Sequence, residues 1–171
     1  MRQVALLRGV NLGKRKLIMS ELRALAERAG YTNVTTLLAS GNLILDAREK
    51  GAKLEAALEK MIHAGLGLKT DIHVRTGAEL AAVVAANPFK AFAKASPSFM
   101  VAAFMRAPAS AAELAAMAAS AETGEEWKQG PGCLYIKFPN GQGPSKLKSP
   151  KLSTARNWNT VTKLAALAGG E

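Results

Sequence analysis

Val-Thr-Thr-Leu-Leu-Ala-Ser-Gly-Asn-Leu-Ile-Leu, residues 34–45, decides the fold. Apolar, β-prone residues crowd both sides of Ser40-Gly41, and such a break between two runs reads as a hairpin. Outward from it the pattern alternates between strand and helix. Residues 3–7 make an apolar strand. Met19, Leu22, Leu25, Ala26 and Ala29 share one face of a helix that Gly30 ends at C′. Beyond the hairpin, Leu54, Ala57, Leu58, Met61, Ile62 and Leu66 form the clearest helical stripe, and residues 71–75 alternate as a strand. Residues 1–75 therefore spell β-α-β-β-α-β, the ferredoxin-like order.

The second half repeats the style less fully. Thr76-Gly-Ala-Glu79 and Ser110-Ala-Ala-Glu113 are capping boxes that open helices. Asn87-Pro88-Phe89 ends the first of these, and residues 98–105 read as a strand. Residues 125–128 and 133–138 predict a hairpin turning at Gly130-Pro131-Gly132, and 141–153 is irregular. A last helix is expected over 158–168. The fold class is α+β: a ferredoxin-like subdomain at 1–76, then a second, smaller related subdomain at 77–171. No sequence repeat links the halves.

Composition narrows the function classes. No apolar run reaches the ~18 residues of a membrane span, and residues 3–7 lack the apolar segment of a signal peptide. One cysteine, Cys133, cannot close an internal disulfide, which predicts a reducing, cytoplasmic setting. The net charge of +10 is unevenly spread. Residues 1–20 hold five basic residues and no acid, and residues 127–170 hold seven and no acid. Clustered positive charge favours phosphate-bearing partners.

Three polar stretches interrupt the apolar pattern where strands end or helices begin: residues 6–13, 40–42 and 154–160. In β-α-β-β-α-β topology the end of the first strand and the turn of the hairpin leave one edge of the sheet together. Arg8, Asn11 and Gly13 are thus expected beside Ser40 and Asn42, at the start of the first helix, where free N–H groups favour an anion. Arg8 supplies a bidentate fork, and the asparagines and the serine neutral hydrogen bonds. Arg156, Asn157, Asn159 and Thr160 straddle the predicted start of the last helix, and Ser145 and Lys146 are further anion contacts. Gly141-Gln-Gly-Pro-Ser-Lys is not a Walker A loop, because Ser145 precedes Lys146 and Pro144 interrupts. His63 and His73 lack companions at ligand spacing, so neither a metal nor another cofactor is expected. Trp127 and Trp158 read as packing residues.

Leu-Leu-Arg-Gly-Val-Asn-Leu-Gly at 6–13, Leu-Ala-Ser-Gly-Asn-Leu at 38–43, Asn-Pro-Phe at 87–89, Pro-Asn-Gly-Gln-Gly-Pro-Ser-Lys-Leu at 139–147 and Thr-Ala-Arg-Asn-Trp-Asn-Thr at 154–160 resemble the marks of the bacterial DUF1697 family, in order and across the chain. The resemblance implies an α+β protein with a ferredoxin-like subdomain and a second, related one, and no reaction. Between Ser145 and Thr154 the chain is shorter than the family pattern. The expected function is binding of a phosphate-bearing ligand, with nucleic acid the leading class. The alternative is an enzyme acting on a small anionic substrate between the subdomains.

Overall fold

The computed structural model of the protein describes residues 1–9, 17–37 and 40–169. Strands β1 (Arg2–Leu7), β2 (Thr32–Leu37), β3 (Asn42–Asp46) and β4 (Ile72–Thr76) form one antiparallel sheet in the order β2-β3-β1-β4. Helices α1 (Met19–Arg28) and α2 (Gly51–Leu66) complete the β-α-β-β-α-β unit. Period-two alternation sends Ala5, Leu7, Leu43, Leu45, Ile72 and Val74 to the helix-covered face, where they meet Leu22, Ala26, Leu54, Leu58 and Ile62. Gly30, at φ +98°, ends α1 as its pattern predicts. Its N–H donates to Glu27 O at 3.0 Å and that of Tyr31 to Ala26 O at 3.2 Å, a Schellman closure.

The second half builds helices α3 (Gly77–Ala85), α4 (Lys90–Ala95), α5 (Ala111–Ser120) and α6 (Trp158–Gly169) around strands β5 (Met100–Phe104), β6 (Glu126–Gly130), β7 (Cys133–Lys137) and β8 (Thr154–Asn157). The strand order is β6-β7-β5-β8, again antiparallel. Two elements depart from expectation. Residues 154–157, read as the approach to a helix, are a strand paired with β5 from Phe104↔Thr154 to Val101↔Asn157. Its inward residues are Thr154 and Arg156, so apolar periodicity has nothing to detect. α4 is a six-residue Lys/Ala helix just past Asn87-Pro88-Phe89, too short for a periodic signal.

With β8 in place both sheets share one winding. β1 and β5 are central, β3 and β7 lie on one side, β4 and β8 on the other. Val101, Ala103, Leu134, Ile136 and Phe138 pack with Met117 of α5 on one face of the second sheet. On the other face the Tyr135 hydroxyl donates to Val83 O at 2.6 Å, and its ring lies 6.3 Å from that of Trp158, tilted by 55°. Burial, with the Cys133 thiol beside it, pushes the Tyr135 phenol well above its ordinary range. The chain divides into two compact units, Met1–Leu80 with Leu164–Glu171, and Ala81–Lys163.

Candidate functional site

At the end of β1 the expected topology holds. Leu7 N donates to Gly41 O at 2.9 Å, so Arg8 leaves the sheet beside the hairpin turn. The chemistry there is more self-contained than the acid-free reading anticipates. Arg8 Nε and Nη2 donate to Asp71 Oδ2 at 3.0 and 2.7 Å. Asp71 stands just before β4, outside both acid-free stretches. Arg8 and Asp71 are 37% and 42% exposed, an ion pair at the surface rather than a buried one. Ser40 is exposed, whereas Asn42 is fully buried and its Nδ2 donates to Leu37 O at 2.8 Å and Ser40 Oγ at 3.0 Å. The Asn42 amide is therefore spent on closing the turn. Asn11 and Gly13, with the Lys14-Arg15-Lys16 run, lie outside the described residues.

In the second unit, β8 runs straight into α6. Arg156 is 6% exposed; its Nη1 donates to Thr154 Oγ1 at 2.9 Å and to Ala155 O at 3.0 Å. Burial lowers its guanidinium to about 10. Asn157 Oδ1 accepts from Thr160 N at 3.0 Å, the geometry of an N-cap on α6. Thr160 is buried, and Asn159 is exposed with its Nδ2 donating to Ser98 Oγ at 3.2 Å. The structure thus gathers Arg156, Asn157, Asn159 and Thr160 around one strand–helix junction.

Ser145 and Lys146 belong to the irregular segment that in the second sheet occupies the chain position of α2 in the first. The segment is fastened by Ser145 N to Gln142 O at 3.1 Å, Leu147 N to Ser145 Oγ at 3.2 Å and Lys148 N to Ser120 Oγ at 2.8 Å. It presents Lys146, Lys148 and Lys151 as exposed residues, and Lys128 is exposed on β6. Lys146 Nζ meets Glu122 at 3.9 Å, both side chains well exposed.

Sequence reasoning missed two features. One is a register match: Arg75 pairs opposite Val4 of β1 as Arg156 pairs opposite Ala102 of β5. Arg75 is also buried, and its Nη1 likewise donates to the preceding carbonyl, Val74 O, at 2.8 Å. Thr76 caps α3 as Asn157 caps α6. The other is an open cleft of about 800 Å³ in the first unit, lined by Arg8, Gly9, Ala56, Glu59, Lys60, His63, Lys69, Thr70 and Asp71. Glu59, Lys60 and His63 fall on one polar face of α2, a visible but unspecific signal. Among the described residues no three His, Cys, Asp or Glu side chains are grouped to hold a metal ion. No helix among them is long and apolar enough to cross a membrane.

Comparison with known proteins places these features. The model of a family described as "protein of unknown function (DUF1697)" matches residues 1–135. Among solved structures, the conserved bacterial protein SP0830 from Streptococcus pneumoniae superposes with a TM-score of 0.77 at 21% identity, covering 98% of each chain. That likeness shows the fold. Among curated proteins, none matches the chain.

Proposed function

The chain belongs to the DUF1697 family, and from that premise we propose that it binds phosphate-bearing ligands, nucleic acid first among them. One observation carries the reading. Of the basic residues in the acid-free span 127–170, Lys128, Lys146, Lys148, Lys151 and Lys163 stand exposed on the second unit, three of them on a single fastened segment. The Lys146–Glu122 contact is too long and too exposed to neutralise this surface. Lysines held this way act as point charges on phosphate oxygens and need no base contact.

Ser145 and Lys146 make direct contacts in this reading, with Asn159 a neutral one. Arg156, Asn157 and Thr160 hold β8 and the first turn of α6 in shape. Arg8 and Ser40 extend the polar surface of the first unit, where Arg8 is shared with Asp71. The tryptophans supply no stacking platform, because Trp158 is buried and Trp127 packs on the core cluster. Phosphate contacts carry no base information, so binding through them is tolerant of base sequence.

The test is the affinity for a single-stranded oligonucleotide across a salt series. The expected result is a steep fall in log affinity with log salt, and a slope shallower by about two in Lys146→Ala/Lys148→Ala. A salt-independent affinity, or an unchanged slope in the double variant, rejects the proposal.

A further inference from the structure

The cleft of the first unit is built as a site. Leu7↔Ile72 is the last pair between β1 and β4. Beyond it, Arg8 N donates to Asp71 O at 2.9 Å and Thr70 Oγ1 donates to Arg8 O at 2.6 Å. These two bonds stitch the exit of β1 to the entry of β4. The opposite wall is the outward face of α2, and Glu59 Oε1 ties it to the sheet by accepting from Ile72 N at 2.9 Å. Both walls are thus fixed before any ligand arrives, which spares the cost of ordering them.

The electrostatics follow from how the acids are used. The lining carries Arg8, Lys60, Lys69 and His63 against Glu59 and Asp71. Asp71 is engaged by Arg8 and Glu59 by a backbone N–H, each through one oxygen. Lys60, His63 and Lys69 are exposed around the opening. Nitrogen donors outnumber carboxylates in this lining. The lining has no Phe, Tyr or Trp, and Ala56 is its one apolar side chain. Such a cleft offers little apolar surface and suits a polar, charged occupant.

We infer that this cleft is a phosphate site, with Lys60, His63 and Lys69 as its direct ligands and Arg8 as the group that anchors its floor. The inference rests on the reading above and adds a contact in the first unit that the lysine segment of the second does not supply. The occupant is a phosphate group, carried either on a nucleic-acid backbone or on a small phosphate.

The experiment follows the His63 ring signals by NMR in the full chain. Inorganic phosphate and a single-stranded oligonucleotide are titrated separately, with ionic strength held constant by sodium chloride. The wild type is compared with Lys60→Ala/Lys69→Ala and with Lys146→Ala/Lys148→Ala. Expected is a saturable shift of His63 in the wild type, with affinity at least about tenfold lower in Lys60→Ala/Lys69→Ala. A shift by both probes assigns the site to either source, and a shift by phosphate alone assigns it to small phosphates. If chloride reproduces the shift, or the cleft variant binds as the wild type does, the inference falls. If the oligonucleotide binds and loses affinity only in Lys146→Ala/Lys148→Ala while His63 stays still, the inference falls and the proposed function stands. If phosphate moves His63 saturably and no oligonucleotide binds, the proposed function falls and the cleft stands.

Discussion

Arg8 and Arg156 carry the same charge in opposite surroundings, and mutation separates their roles. The Arg8–Asp71 pair is more than one-third exposed on both sides, so Asp71→Asn is expected to shift stability by less than about 1 kcal/mol in denaturant melts. Asn42→Ala is expected to cost about 1–2 kcal/mol in the same assay, because Asn42 is fully buried and its loss strips the turn of the donor to Leu37 O. Arg156 responds to pH in a definite direction. Burial holds its folded-state value at about 10, below the ordinary guanidinium value. Above that pH the unfolded chain binds more protons than the folded one, so stability gains as pH rises through it. Relative to Arg156→Met, the wild type should hold a constant offset from neutral pH up to about 10 and improve beyond it, read from paired denaturation midpoints.

Three helices start on capping side chains, α3 on Thr76, α5 on Ser110 and α6 on Asn157, and two close on glycine, α1 at Gly30 and α2 at Gly67. In α5 both arms of the box are made, Glu113 N to Ser110 Oγ at 3.1 Å and Ser110 N to Glu113 Oε1 at 3.0 Å. Ser110→Ala and Asn157→Ala are each expected to lower stability by about 1 kcal/mol, with Asn157→Asp near neutral, by thermal melting. Gly130→Ala is expected to cost more, about 1–3 kcal/mol, since its Cβ would stand 2.2 Å from the Tyr135 ring. The hairpin at 34–45, α1, α2 and both boxes are legible in sequence because their signals are local: a turn between apolar runs, a helical stripe, a cap three residues from its partner. β8 is not, because Thr and Arg occupy its buried positions. The candidate site divides the same way. Arg8 and the lysine segment stand out by residue type. The Asp71 that meets Arg8 lies 63 residues on, and only the folded sheet brings the two together.

At the scale of the molecule, the two sheets are wound alike around matching arginines, although their sequences show no repeat. Met105 N donates to Gly132 O as Leu7 N donates to Gly41 O. The halves keep backbone geometry and two polar devices, the inward arginine and the helix cap, while the surrounding apolar residues vary. They differ where α2 in the first is replaced by lysine-bearing coil in the second. In hydrogen exchange, the interior strands β1, β3, β5 and β7 should protect their amides longest, with the edges β2, β4, β6 and β8 exchanging first. Cys133 is the only thiol in the chain, and nothing of it reaches solvent. An alkylating reagent can therefore react with it only during an opening of β7. Its labelling rate is a built-in clock for how often that half of the molecule breathes, with no engineered probe required.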